Sequence, residues 1–327
     1  MNLLNVWANA FLYPKNHPKP MNTVIVRYGE IGTKSRQTRT WFERILINNI
    51  REALTTEEIE YKSVFAKHGR VIVRTNNAEE ASKVLLRVFG IVSLSPALEV
   101  DASLDKINKT ALTLFRRKKR QLNIDKPRFR VTARRITKEF PLNSIELQAK
   151  VGEFILENEE SVVDLHNYDI EVGIEIMEGK AYIFTEKIKG WGGLPIGTQG
   201  KMIGLLSGKN SALAMFLMMK RGVEIIPVHI RESEESVENA RKLWNILEMY
   251  NYGGKGRLIV VDTITSVKKI IREFGAKGIV KGSRKELNEE FENEIMEDKR
   301  LFSVPVYYPL VALPEDYIKD VARRIPL

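Results

Sequence analysis

Met202-Ile-Gly-Leu-Leu206, Ser207-Gly-Lys-Asn-Ser211, the stretch from Ala212 to Arg221, Gly222, and Glu224-Ile-Ile-Pro-Val-His-Ile230 decide how this chain is built. The first run is short, apolar and followed by a turn signal, as a buried strand requires. Ala212 to Arg221 is apolar on a helical period and stops at Gly222, the residue type that most readily ends a helix. Glu224 to Ile230 is again strand-like. A helix between two such strands makes a βαβ unit, whose strands run parallel, so the last third is expected to be α/β.

The same alternation continues on both sides. C-terminally it predicts a helix from about Ser233 to Tyr250, a strand Leu258 to Asp262, a helix Ser266 to Glu273 and a strand Gly278 to Lys281. N-terminally, Gly190 to Lys201 holds five glycines and a proline and reads as a domain boundary. Before it, helical Ala78 to Phe89, a strand Leu94 to Val100, helical Leu104 to Lys119, a strand Phe129 to Ala133, helical Ser144 to Asn158 and strands Asp169 to Ile176 and Lys180 to Lys187 form one unit. A smaller α+β unit precedes that, with a strand Thr23 to Tyr28, a helix about Trp41 to Leu54, and a hairpin of Tyr61 to Val64 with Arg70 to Arg74 turning at Lys67 to Gly69. Residues 1 to 20 show no periodicity and no signal-peptide pattern; they read as an extension, with Met21 as the expected authentic start.

Charge is distributed unevenly. The chain has 52 basic and 42 acidic residues among 327, for a formal net charge of +10. Lys109, Arg116, Arg117, Lys118, Lys119, Arg120, Lys126, Arg128, Arg130, Arg134, Arg135 and Lys138 fall in one window whose only acid is Asp125. That window accounts for the whole excess. Such a segment repels itself unless something anionic lies over it, and a polyphosphate backbone is the common intracellular partner. A solvated helix face explains an isolated run such as Arg116 to Arg120 about as well. The continuation favours RNA, because Arg128 and Arg130 share one face of a strand, so helix and strand are expected to present guanidinium groups together for bidentate phosphate contact.

Composition excludes several chemistries. There is no cysteine, hence no disulfide, thiolate zinc site, iron–sulfur cluster or thiol nucleophile in these residues. Four histidines, His17, His68, His166 and His229, lack metal-ligand spacing, so no metal site is expected. No apolar run approaches the roughly 20 residues of a membrane span, and a cytoplasmic protein is expected. The Ser207 loop is not a Walker P-loop: Gly204 stands one residue too close to Gly208-Lys209, and Asn210 occupies the Ser/Thr position. A short glycine-containing turn between strand and helix also serves purely structural ends.

Several ordered motifs carry a more specific signal. Val26-Arg-Tyr-Gly-Glu-Ile-Gly32, Arg134-Arg-Ile-Thr-Lys-Glu-Phe-Pro-Leu-Asn-Ser144, Glu186-Lys-Ile-Lys-Gly190, Gly192-Gly-Leu-Pro-Ile-Gly-Thr-Gln-Gly-Lys201 and Leu217-Met-Met-Lys-Arg-Gly-Val-Glu-Ile-Ile-Pro-Val-His229 resemble the tRNA 4-thiouridine synthetases, or tRNA sulfurtransferases. The resemblance runs from Met21 to the end. It implies a ferredoxin-like domain (21–76), a THUMP domain (77–189) that binds the tRNA acceptor end, a linker (190–201) and a Rossmann-like PP-loop domain (202–327). It also implies ATP, with magnesium, as the cofactor that activates a tRNA uridine as its adenylate before sulfur is delivered to C4 from a persulfide.

The cluster of positive charge places the expected tRNA site on Arg116, Arg117, Lys118, Lys119, Arg120, Arg128, Arg130, Arg134, Arg135 and Lys138, with Asn143 beyond them. By the same resemblance the ATP pocket falls on Leu205, Leu206, Ser207, Gly208, Lys209, Asn210, Ser211, His229, Ile230 and Gly282. The chain departs from the family in its loop: the family has Ser-Gly-Gly-x-Asp-Ser, whereas this chain has one residue fewer and Asn210 in place of the acid. Displacing loop amides by about 1 Å can cost ~100-fold in rate. The family's Gly-Glu reads Gly282-Ser283 here, and its reactive cysteine has no counterpart. Two functional expectations follow: an enzyme that adenylates uridine and takes sulfur from an external donor, with Lys209 on the phosphates, or a tRNA-binding homologue whose last domain is a scaffold. A homodimer is compatible with either. A membrane-surface patch fits less well, because Arg130 to Ala133 reads as a strand.

Overall fold

The structure is a computed structural model that describes residues 20–284, 286–325 and residue 327. The question of an N-terminal extension lies outside the described residues for positions 1–19. In chain order the elements are β1 (Thr23–Tyr28), α1 (Arg36–Thr56), β2 (Ser63–Lys67), β3 (Arg70–Arg74), α2 (Ala78–Leu85), β4 (Ile91–Asp101), α3 (Leu104–Leu122), β5 (Arg128–Arg135), α4 (Ser144–Asn158), β6 (Val162–Val163), β7 (Ile170–Met177), β8 (Lys180–Phe184) and β9 (Ile188–Lys189). The last third adds β10 (Lys201–Leu205), α5 (Lys209–Lys220), β11 (Glu224–Ile230), α6 (Glu234–Glu248), β12 (Ile259–Val261), α7 (Ile264–Phe274), β13 (Ile279–Val280), α8 (Glu289–Leu301), β14 (Val306–Tyr307) and α9 (Glu315–Arg324). The final helix, strand and helix extend past the last element expected from sequence.

Alternation sets the front sheet. Along β1, Val24 and Val26 point into the main core while Ile25 points to the other face, where it meets Ile72, Ala97, Met177, Tyr182 and Phe184. The strand order is β2-β3-β1-β4-β8-β7-β5-β6, with β9 paired to β4. Strand β4 joins the two front units: Ile91 to Ala97 pair with β1, and Leu98 to Asp101 pair with β8. The sheet therefore runs through the boundary expected at residue 76, and α2 beyond that boundary packs on α1 and β1. Helix α1 buries Phe42, Leu46, Ile50, Ala53 and Leu54 at helical spacing, and its first turn is capped by Ser35.

The second sheet is parallel throughout, in the order β12-β11-β10-β13-β14. Strand order reverses between β10 and β13. In open parallel sheets a crevice forms outside the carboxyl ends of the strands at such a switch point, and ligands bind there.

The glycine-rich stretch read as a linker is a tightly bonded strap. Gly190 and Gly192 donate to Val92 and Ile91 carbonyls, Leu194 donates to Lys220, and Gly197 donates to Gly222. Leu194 and Ile196 are buried. Glycine is required here for close approach, not for looseness. At Gly193, with φ of +75°, a Cβ would lie 2.0 Å from the Lys220 carbonyl oxygen, and at Gly190 it would lie 2.3 Å from that of Ile91. A T-shaped stack of Trp191 on Phe216, with Phe89 and Tyr250 beside it, joins the strap, the turn between α2 and β4, and the second sheet domain.

Candidate functional site

The basic segment is not one surface. Arg116 to Arg120 lie in the last two turns of α3, and Arg128 and Arg130 begin β5, all near the C-terminal end of α4. Arg134 and Arg135 end β5 and Lys138 follows, near Asn143 at the N-terminus of α4. At about 1.5 Å per residue, the length of α4 alone separates the two groups by roughly 20 Å.

The two ends also differ in their partners. At the first, Arg116 and Lys119 share the carboxylate of Glu159, at 2.6 and 3.0 Å. Arg117 pairs with Glu79 and Lys118 with Glu186. Arg128 pairs with Asp169 at 3.1 Å and Arg130 with Glu171 at 3.1 Å, Arg130 also lying over the Tyr168 ring. The Glu159 carboxyl is held below its ordinary range, first by the hydrogen bond from Arg116 and then by Lys119. Two expectations are thereby corrected. The segment does not depend on an outside anion, because α4, β7 and their neighbours bring acids that lie outside the sequence window. Nor do helix and strand present free guanidinium groups together, because those at this end are engaged, except Arg120.

At the second end no ion pair to a carboxylate is formed by Arg134, Arg135 or Lys138 among the described residues. Arg134 and Lys138 are exposed. Arg134 stands in register with Glu175 on β7, yet both oxygens of that buried carboxylate are taken, Oε1 by Arg27 and Oε2 by Arg70 at 2.9 Å each. Burial raises the Glu175 pKa, but the two arginines outweigh it and hold the group ionised below its ordinary range. Three arginines thus converge on one acid, and Arg134 is the one left over. Arg135 donates to the Phe140 carbonyl, which fixes the turn leading to Asn143. Asn143 caps α4 with a capping box: its side chain accepts from Ile145 and Glu146 amides, and Glu146 accepts from the Asn143 amide. The cations therefore lie beside a helix N-terminus, whose dipole also favours anions.

The second site is a cavity of about 470 Å³ at the carboxyl ends of β10, β11 and β13. Leu205, Leu206, Ser207, Gly208, His229, Ile230 and Gly282 all line it. Lys209, Asn210 and Ser211 follow directly but are not part of its lining. The reason is local. The Ser211 hydroxyl turns back into the loop, accepting from the Ser207 and Gly208 amides at 2.8 and 3.0 Å and donating to the Gly208 carbonyl at 2.7 Å. Gly282 closes over the same turn: a Cβ there would lie 2.2 Å from the Ser211 nitrogen. The wall of the cavity stops at Gly208.

Sequence reasoning missed the remaining wall: Val228, Glu232, Ser236, Asn239, Ala240, Leu243, Lys281, Ser283 and Glu294. Lys281 was within reach, since it ends β13 at the switch point; α6 and α8 needed the tertiary structure. Lys281 Nζ is 2.8 Å from both Glu294 and the buried Asp298, and Tyr308 also donates to Asp298 at 2.5 Å. Burial opposes the Lys281 charge, but the two acids more than offset it and its pKa is raised. His229 is fixed between the Leu206 carbonyl at Nδ1 (2.7 Å) and Ser236 Oγ at Nε2 (3.0 Å). Because a carbonyl only accepts, Nδ1 carries the proton.

Known proteins resemble the chain along its length. Residues 23–95 match the ThiI ferredoxin-like domain, 101–186 the THUMP domain, and 197–283 the family described as thiamine biosynthesis protein (ThiI). A probable tRNA sulfurtransferase of Thermococcus kodakarensis is 60% identical over 93% of this chain and 87% of its own length. A crystal structure from Pyrococcus horikoshii superposes with a TM-score of 0.89 at 65% identity, covering 94% of this chain and all of that one. The crystal structure of a 4-thiouridine synthetase–RNA complex with bound ATP gives a TM-score of 0.76 at 27% identity, over 93% of this chain and 84% of the other.

Proposed function

The chain belongs to the tRNA sulfurtransferase family, and from that premise we propose that it holds tRNA on its front sheet and an adenine nucleotide in the cavity at the ends of β10, β11 and β13. The observation that carries the RNA half is the carboxylate-free group Arg134, Arg135 and Lys138 beside the α4 N-terminus, inside the region that matches the THUMP domain. Phosphates need cations that no carboxylate holds, and this group supplies them. Arg120, which has no carboxylate partner among the described residues, serves as an outlying contact. The acceptor end of tRNA is the segment this surface would take, as the family resemblance implies.

The nucleotide half rests on the cavity's place at a switch point and on its mixed wall. Leu205, Val228, Ile230, Ala240 and Leu243 offer an apolar face for a base, with Asn239, Ser236 and Ser207 at its edge. ATP in the relative's structure is bound by a protein of the same fold. Magnesium would travel on the phosphates; among the described residues no group of three or more acids or histidines could hold a metal ion. Gel-shift titration of full tRNA against an isolated acceptor stem, together with calorimetry of ATP, tests both halves. Equal, salt-insensitive binding of tRNA and unrelated protein-binding polyanions would contradict the first, and no heat with any adenine compound the second.

A second reading has the chain catalyse. The uridine O4 would attack the α-phosphorus of ATP and release pyrophosphate; sulfur would then displace AMP at C4. None of the 327 residues is cysteine, so none of these residues carries the sulfur as a persulfide. The cavity at the family's loop position favours this reading, and pyrophosphate release that depends on tRNA is the readout that separates it from binding alone.

A further inference from the structure

The cavity spans two unlike sides of the switch point. Toward β11 and α6 its wall is Val228, Ile230, Ala240 and Leu243, a surface suited to a base. Toward β13 and α8 its wall is Lys281, Gly282, Ser283 and Glu294. Gly282 packs on the first turn of α5, where a Cβ would lie 2.2 Å from the Ser211 nitrogen. This side therefore adjoins a helix N-terminus, the end of a helix that favours phosphate. Lys281 is the only lysine or arginine in the lining among the described residues, and the loop lysine, Lys209, is not part of it. An ammonium group has three N–H donors. Lys281 gives one to Asp298 and one to Glu294, each at 2.8 Å, and makes no third hydrogen bond among the described residues. Asp298 is itself buried and accepts from Tyr308 at 2.5 Å, which fixes the carboxylate on which Lys281 rests. Burial opposes the Lys281 charge, but the two acids outweigh it, so the group stays protonated at neutral pH. The result is a charged lysine, anchored at its tip, with one donor left over at the polar end of the cavity.

Resting on the nucleotide reading above, we propose that Lys281 is a phosphate-contacting residue of this site: its remaining N–H donates to an oxygen of the nucleotide's phosphate chain. The base lies against Leu243, Ala240 and Val228, and the phosphates extend across the switch point toward β13, between the Ser207 loop and Lys281. The cation expected at Lys209 is thereby supplied from the end of β13, on the far side of a loop one residue shorter than the family's. Hydrogen bonds between an ammonium group and a phosphate are charge-assisted and among the stronger ones available.

Calorimetry on the full chain with adenosine and ATP tests this. Lys281→Gln should weaken ATP binding about tenfold or more while adenosine affinity stays within about twofold. ATP affinity unchanged by Lys281→Gln would overturn the proposal while leaving the nucleotide site intact; no binding of either compound to the wild type would overturn both. Because Lys281→Gln also strips Asp298 of its cation, the same substitution is repeated in an Asp298→Asn background, which leaves no bare carboxylate at that position. The selective loss of ATP should persist there, at about fivefold or more. Equal losses of ATP and adenosine in both backgrounds would mean that Lys281 only supports the wall, and would overturn the assignment.

Discussion

The two ends of the basic segment have nearly the same sequence chemistry and opposite physical states. Around Glu159 and Asp169, arginines and lysines are tied to carboxylates brought in by α4 and β7. Around Asn143, Arg134, Arg135 and Lys138 form no ion pair among the described residues, and Glu175, in register with Arg134, is saturated by Arg27 and Arg70. The difference teaches that a count of cations in sequence measures charge, whereas the fold decides which charges are available. An ion pair must be broken before its cation can meet a phosphate, so the free end should dominate binding and the paired end should mainly fix geometry.

The largest expected effect comes from the residue that keeps the free end free. Replacing Glu175 by Gln leaves the buried Arg27 and its neighbour Arg70 without their shared counter-ion, and breaking such a pair costs about 3–5 kcal/mol. Urea unfolding should show that loss at pH 7. The sign with pH is fixed by the lowered Glu175 pKa: its stabilisation is complete above the unfolded value of about 4.3 and is lost as pH falls through the folded one. The wild type should therefore lose stability steeply in acid, and the variant much less. Parallel curves would remove Glu175 from the account.

A smaller effect tests the frame that fixes the second sheet domain against the front one. Gly193→Ala places a Cβ against the Lys220 carbonyl at a positive φ and should cost more than about 1 kcal/mol in thermal or urea unfolding. A true linker would tolerate it without change.

The smallest effect sharpens the comparison at the paired end. Glu159→Gln releases Arg116 and Lys119, which should tighten tRNA binding about two- to fivefold at low salt and increase the salt slope. Weaker binding would mean that Glu159 positions RNA contacts and does not mask them.

Much of the fold was legible because periodicity is local. Thr23 to Tyr28, Ser144 to Asn158 and Glu224 to Ile230 were bounded as the structure has them, since alternation, a capping asparagine and a short apolar run each carry their own signal. What failed was non-local. The strap from Gly190 read as loose because glycine marks flexibility and close backbone approach alike, and only the approach of Lys220 and Ile91 tells them apart. The cavity was half legible: strand ends gave Leu205, Leu206, His229 and Ile230, but Asn239, Leu243 and Glu294 come from α6 and α8, whose placement the sequence does not state. The engaged state of Arg116 to Arg130 was invisible for the same reason, as its acids lie 30 or more residues away in the chain.

The central claim is best tested by the salt dependence of tRNA affinity in two charge-matched variants, one with Arg134, Arg135 and Lys138 changed to Ala and one with Arg116, Lys119 and Arg128 changed to Ala. The first should lose about two to three units of salt slope and roughly 100-fold in low-salt affinity, while the second loses less than one unit. Equal losses in the two, or a larger loss in the second, would contradict the distinction between free and paired cations on which the account stands.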